Sequence, residues 1–255
     1  MKNNTVLITG ASSGIGYELA RLFALQENQL ILIARNKDKL SALKKELESK
    51  GNSKVYIIHK DLSEVGSGKA VFEEVKGLGL QVDILINNAG AGYVGLFHEK
   101  EIVDDMKMMQ LNMVTLTELT KLFAAEMVRR KAGKILNVAS TGSYHPGPYT
   151  AVYYATKAYV LSLSEALSIE LKPYGITVSA LCPGATKTEF AKRAGKRDTK
   201  AAMAAEDVAR EAFKGLMKNK VTIIPGLQNK LFVKLPRNLV SHMVAKYQSA
   251  LLIKK

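Results

Sequence analysis

Tyr153 and Lys157 lie four residues apart in a helically patterned stretch, which puts both side chains on one face of one helix. A phenol ordinarily ionises near pH ~10, and a neighbouring ammonium favours the phenolate, drawing it toward general acid/base work. Tyr149, Tyr154 and Tyr159 are close in sequence, but only Tyr153 has a lysine four residues later. Such pairs also occur on ordinary helix surfaces, so this spacing alone leaves a solvated pair open. Ser140 ends an apolar run thirteen residues before Tyr153, and its hydroxyl could hydrogen-bond a carbonyl that Tyr153 protonates. Asn112 falls inside an expected helix, where asparagine has weak propensity. It marks a possible local distortion that holds water near Lys157.

A second group of residues has the makings of a dinucleotide site. Thr9-Gly10-Ala11-Ser12-Ser13-Gly14-Ile15-Gly16 joins the first apolar run to a helical pattern. Glycines permit a tight turn and close backbone approach, and the following helix N-terminus offers free N–H donors to a pyrophosphate. The Gly-x-x-x-Gly-x-Gly spacing differs from the common G-x-G-x-x-G fingerprint, and a purely structural turn is the rival reading. At the end of the second run stand Ala34 and Arg35, with no carboxylate before Asp38. A guanidinium there suits the 2′-phosphate of NADP, whereas an acidic residue would suit the ribose of NAD. Asp61-Leu62 and Asn87-Asn88-Ala89-Gly90 close the third and fourth runs. They are candidates for the adenine and for close backbone approach, though a helix cap and a simple turn are the alternatives.

The elements that must position these groups alternate. Val6–Thr9, Leu30–Ala34, Val55–His59, Ile84–Asn87, Ile135–Ala139, Ile176–Leu181 and Val221–Ile224 read as buried strands. Between them lie helical patterns at Gly14–Glu27, Lys37–Ser49, Gly68–Gly77, Glu101–Arg130, Ala151–Lys172 and Ala205–Lys218. This order predicts an α/β fold, a doubly wound, Rossmann-type parallel sheet of seven strands with helices on both faces. Residues 1–226 read as one catalytic domain and 227–255 as a C-terminal extension.

In this order and context the motifs resemble those of the short-chain dehydrogenase/reductase family, in its single-domain, NADP-preferring form, over about residues 5 to 225. They are Thr9-Gly10-x-x-x-Gly14-x-Gly16, Asp61-Leu62, Asn87-Asn88-Ala89-Gly90, Asn112, Ser140, Tyr153-x-x-x-Lys157 and Pro183-Gly184. The resemblance implies an NADP(H) enzyme in which Tyr153 exchanges the proton of the carbonyl oxygen. Lys157 would lower the tyrosine pKa and hold the nicotinamide ribose. Ser140 would position the substrate, and Asn112 would anchor a proton-relay water. Gly10, Ser12, Ser13, Gly14, Ile15, Gly16, Arg35, Asp61, Leu62, Asn88, Ala89, Gly90, Tyr153 and Lys157 would bind the cofactor, with Pro183, Gly184, Thr186 and Thr188 at the nicotinamide. A homodimer or homotetramer packed through the helices near 101–130 and 151–172 is also implied.

About residues 185–205, rich in Lys, Arg, Gly and Ala, stand where the family carries a lid over the substrate. Tyr93, His145 and Tyr149 are expected on the pocket wall, a loop histidine without chemistry being the rival for His145. In the extension Leu239, Val240, Met243, Val244, Tyr247, Leu251 and Leu252 form an apolar stripe among lysines and arginines. It reads as a helix packed on protein, with a basic amphipathic helix on anionic membrane, over residues 237–255, as the alternative.

Composition narrows the classes. The 255 residues are 47% hydrophobic and carry a net charge of +14, with nine Lys/Arg and no Asp or Glu from Ala212 onward. No nucleic-acid-binding motif accompanies that charge. One cysteine, Cys182, and four scattered histidines predict no disulfide and no metal site, and a cytoplasmic setting. The expected function is hydride transfer from NADPH to a ketone or aldehyde. The alternatives are a non-catalytic NADP(H)-binding regulator, to which acid/base groups would be of no use, and a membrane-associated lipid carbonyl reductase.

Overall fold

The computed structural model describes residues 4–195 and 202–252. In chain order the elements are β1 (Thr5–Thr9), α1 (Gly14–Ala24), β2 (Gln29–Ala34), α2 (Lys37–Ser49), β3 (Val55–His59), α3 (Ser67–Gly77), β4 (Ile84–Asn87), α4 (Ile102–Met109), α5 (Leu116–Arg130), β5 (Gly133–Val138), α6 (Ala151–Glu170), β6 (Ile176–Leu181), β7 (Thr186–Lys187), α7 (Glu189–Arg193), β8 (Met203–Ala204), α8 (Ala205–Met217), β9 (Thr222–Ile223), α9 (Leu227–Phe232) and α10 (Arg237–Leu252). Seven strands form one parallel sheet in the order β3-β2-β1-β4-β5-β6-β9. The order reverses between β1 and β4, which opens a crevice at the carboxyl edge of those strands.

Burial on both faces explains the nearly continuous apolar strands. In β1, Val6 and Ile8 pack toward α1, α2 and α8, while Leu7 faces the cluster built with α3 and α5. Each fully buried Leu or Ile there contributes roughly 1.5–3 kcal/mol. Phe23 of α1 meets Phe213 of α8 edge-on at 5.0 Å, which fixes the helix that opens at the glycine turn.

Three local readings change. The helix expected over Glu101–Arg130 is not uniform: Gln110–Thr115 between α4 and α5 is π-helical, with Asn112 at its centre. One extra residue in the turn breaks the regular bonding ladder, a feature that often accompanies functional sites. The last sheet strand shrinks to Thr222–Ile223, since only Ala180 and Leu181 of β6 pair with it. The expected lid contains the short pair β7-β8 and helix α7, and its residues 196–201 lie outside the described residues.

The C-terminal extension is no separate appendage. α10 buries Val240, Val244 and Gln248 at helical spacing, while Leu239, Met243 and Tyr247 remain exposed. Packing on protein therefore accounts for one face of the expected stripe.

Candidate active site

A cavity of about 500 Å³ lies at the crevice predicted by the strand order. It is lined by Gly10, Ser13, Gly14 and Ile15, by Ser140, Tyr153 and Lys157, and by Pro183, Gly184, Thr186 and Thr188.

The glycine turn is built for close approach. Gly10 and Gly14 have φ of +65° and +57°, backbone that a side chain would strain. A Cβ on Gly10 would lie 2.9 Å from the Cα of Ala89, and one on Gly14 2.9 Å from Cγ2 of Thr188. Thr9 Oγ1 accepts from the backbone N–H groups of Asn88 and Ala89, and Asn88 Nδ2 donates to the Thr9 carbonyl. Those bonds lock the β1 and β4 ends together. Ser13 caps α1 in extended backbone but makes no side-chain cap bond, in contrast to Asn36 on α2 and Thr188 on α7. The first donors of α1 thus face the cavity without a capping oxygen, which fits an anionic group such as a pyrophosphate.

At the far end of β2, Arg35 is exposed and its Nη1 lies 3.6 Å from Oδ2 of Asp61. Burial pushes the Asp61 carboxyl up, but hydrogen bonds from Ser63 and the Arg35 guanidinium outweigh it and leave the group below the usual carboxylate value. Ser12, Gly16, Arg35, Asp61 and Leu62 are not on the wall of this cavity. Lys39 of α2 forms an ion pair with Glu189 of α7, so α7 is tied to the same sheet edge.

Tyr153 and Lys157 both turn inward from α6 and are buried. Tyr153 shares a hydrogen bond with Ser140, whose Oγ also accepts from Gly142 N at 3.0 Å. Lys157 Nζ donates to the Val138 carbonyl at 2.7 Å and stands 5.9 Å from the centre of the Tyr153 ring. The expected lowering of the tyrosine pKa by Lys157 does not appear in this geometry. Burial pushes the phenol well above its ordinary value, with Ser140 acting in the opposite direction and Tyr154 adding to the rise. Burial also pulls Lys157 down to about 8, against a smaller upward effect of Cys182. Both shifts favour the neutral forms, because desolvation penalises charge of either sign.

Asn112 behaves as a positioning residue. Its Oδ1 accepts from Ala91 N at 2.9 Å, and its Nδ2 donates to Ala91 O at 2.9 Å and to Thr156 Oγ1 at 3.0 Å. The side chain ties the loop after β4 to α6 and does not reach the cavity.

The three residues expected on the pocket wall have other partners in this structure. The Tyr93 hydroxyl donates to Asp105, and Lys100 covers its ring at 4.7 Å. Tyr149 adopts φ of +63° and its carbonyl accepts from Gly95 N. His145 is buried against Phe232, with ring centres 5.4 Å apart. Neither His145 nitrogen meets hydrogen-bond geometry, although the Phe232 main chain is near enough to raise its pKa; burial is the larger effect and holds the ring neutral. None of the three lines the cavity. In their place stand Tyr154, Phe190, Phe232, Met243, Val244, Tyr247 and Gln248. Sequence spacing did single out Met243, Val244 and Tyr247 as an apolar stripe, but nothing in it tied that stripe to this site. Among the described residues no cluster of His, Cys, Asp and Glu could hold a metal ion.

A parallel sheet with this strand order, a glycine turn at its first crossover and a cavity at the switch point define a nucleotide-binding oxidoreductase class. Residues 4–199 match the family model described as short chain dehydrogenase, and the chain belongs to that family. Oxidoreductase UcpA of Salmonella typhimurium is 33% identical over 193 residues, covering 75% of this chain and 73% of the relative. A short-chain dehydrogenase from Sphingobium yanoikuyae in complex with NADPH superposes with a TM-score of 0.84 at 33% identity, over 92% of this chain and 97% of that one. The bulky-bulky ketone specific alcohol dehydrogenase from Comamonas testosteroni gives 0.81 at 28% identity, over 100% and 96%.

Proposed function

We propose that this oxidoreductase reduces a ketone or aldehyde with NADPH, using Ser140, Tyr153 and Lys157. The observation that carries the reading is the buried Ser140–Tyr153 hydrogen bond, with Lys157 beside it, in the same cavity as the uncapped α1 N-terminus. A bound reduced nicotinamide supplies the hydride that reaches the carbonyl carbon. Tyr153 donates its proton to the carbonyl oxygen, and its raised pKa keeps that proton in place until negative charge develops there. Ser140 holds the same oxygen. The Lys157 ammonium, oriented by Val138, offers its remaining N–H groups to ribose hydroxyls. Asn112 and the π-helical segment hold the loop after β4 at the distance that α6 requires. With Lys157 down to about 8, a fraction of it is neutral at mildly alkaline pH.

Arg35 supports NADP over NAD. Its guanidinium is exposed at the β2 end, weakly paired with Asp61, and free to turn to a 2′-phosphate. Arg35→Ala is expected to raise the KM for NADPH by about 10- to 100-fold, the worth of hydrogen bonds to a charged group, with little change for NADH. Parallel absorbance assays with the two cofactors and a panel of ketones check this; an equal loss with both cofactors refutes the assignment.

Self-association and a cytoplasmic setting complete the reading. Ile102, Val103 and Met106 of α4 are exposed together, an apolar patch suited to a second copy of the chain. Leu227, Leu231 and Leu239 are exposed beside Lys230 and Lys246, which suits an anionic surface. No helix among the described residues is long and apolar enough to cross a membrane. Sedimentation velocity is expected to give a dimer or tetramer, and flotation with anionic vesicles to decrease in Leu227→Ser/Leu231→Ser; a monomer, or unaltered flotation, overturns the respective contact.

A further inference from the structure

The cavity wall contributed by the C-terminal segment joins apolar side chains to three amides, Gln228, Asn229 and Gln248. Phe232, Met243, Val244 and Tyr247 line it with Phe190 from the lid, and beside them stands Gln248. On α10, Val240, Val244 and Gln248 follow one another at four-residue spacing and make the buried stripe of the helix. Gln248 thus occupies a position where that stripe calls for an apolar side chain, and it is only 3% exposed. Its Oε1 is buried with no hydrogen-bond partner. Among the described residues the other buried polar atoms in that condition belong to Asn87, Glu118 and His145, none of which lines the cavity, Gln248 alone doing so. A buried amide without a partner is costly to the fold, and a leucine at this place would avoid the cost.

We infer that Gln248 is a specificity residue that hydrogen-bonds a neutral polar group of the substrate, a second polar contact in addition to the Ser140–Tyr153 pair. The substrate class is a largely apolar ketone that carries a hydroxyl at a distance from its carbonyl. The hydroxyl hydrogen is donated to Gln248 Oε1, and the aromatic and aliphatic side chains around it cover the hydrocarbon between the two polar ends. A neutral group is assigned because no lining side chain of α9 or α10 is charged, Lys157 and Arg193 of other elements being the cations on the wall, and an ionised group would lose its hydration against Phe232, Val244 and Met243. Selectivity of this kind is strong because the analogue without the hydroxyl leaves the amide unpaired.

The inference rests on the carbonyl-reductase reading, so the test has two readouts. Methyl ketones of graded chain length, each with and without a terminal hydroxyl, are assayed with NADPH on wild type, Gln248→Leu and Gln248→Asn. At one chain length the hydroxyl is expected to raise kcat/KM of the wild type by about tenfold or more. Gln248→Leu loses that advantage, so that its ratio of kcat/KM with and without the hydroxyl falls to about one at every length, while Gln248→Asn moves the optimum to a longer chain. The same compounds are scored by thermal shift in the presence of NADPH, where the hydroxyl-dependent stabilisation should vanish in Gln248→Leu. Should no ketone be turned over, the reductase reading fails and the thermal shift alone decides the subsite. An advantage absent at every length in both readouts, or one that survives in Gln248→Leu, overturns the inference.

Discussion

Tyr153→Phe is expected to lower kcat by about 10²- to 10⁴-fold, the usual contribution of a positioned general acid, while NADPH still binds with wild-type affinity. The substitution removes one hydroxyl and keeps the ring. Its packing against Tyr154 at 6.0 Å and Phe190 at 5.7 Å is therefore retained. Ser140 keeps its bond from Gly142 N, so the loop after β5 stays in place. The stability change should stay within about 1 kcal/mol, the net worth of an ordinary hydrogen bond. Substrate and cofactor would then assemble in a site that lacks only the proton. Absorbance-followed NADPH oxidation, with binding measured separately by titration, distinguishes this from a general loss of structure. A variant that retains most of its turnover would remove Tyr153 from the acid role, and one that cannot bind NADPH would place it in the cofactor site alone.

Lys157→Met should have the opposite effects on activity and stability. Burial lowers the Lys157 pKa from 10.5 to about 8, and a depression of that size corresponds to roughly 3 kcal/mol between its charged and neutral forms. Below about pH 8 the native state carries the ammonium against this penalty. Between about 8 and 10.5 the unfolded chain holds more protons than the native one, so wild-type stability rises with pH across that window. Methionine has nearly the same length and no charge. It removes the penalty but leaves the Val138 carbonyl without the donor now 2.7 Å away, a loss of about 1–3 kcal/mol. The net expectation at pH 7 is a gain of order 1 kcal/mol, or roughly 2–4 °C in melting temperature for a chain of this size. That advantage should shrink as pH rises toward 10.5, and turnover should fall by about a hundredfold or more. Melting curves from pH 6 to pH 10 check the sign: a destabilised variant, or a gap independent of pH, contradicts it. Gain of stability with loss of activity is the general pattern where a functional group is held in an unfavourable place.

Much of the architecture is legible in the residues themselves. The seven sheet strands fall where apolar, β-branched runs predict them, since strands covered on both faces must be apolar at nearly every position. The glycine turn, Ser140, Tyr153 and Lys157 come together because strand ends in a parallel sheet share one edge, and because a four-residue spacing puts two side chains on one helix face. Asn112 is a weak helix residue, and it stands in the π-helical turn, yet its side chain holds a loop.

Tyr93, His145 and Tyr149 show where such reading stops. Each lies near the site in sequence, but Asp105, Phe232 and the backbone of Gly95 engage them elsewhere. Apart from Tyr154, the side chains that stand there instead come from α7, α9 and α10, up to about a hundred positions from Tyr153. Local pattern can tell that α10 is amphipathic, not what its buried face meets. The protonation balance is likewise a property of the packed molecule. Proximity of Lys157 to Tyr153 in sequence suggests a depressed phenol pKa, whereas desolvation by everything packed around the pair raises the phenol and lowers the amine. Chain periodicity determined the sheet, the helices and the edge on which chemistry occurs, because those follow from short-range spacing and burial. The wall of the cavity and the charge states of Tyr153 and Lys157 were decided only by tertiary structure, because both depend on distant segments excluding water from the same small volume.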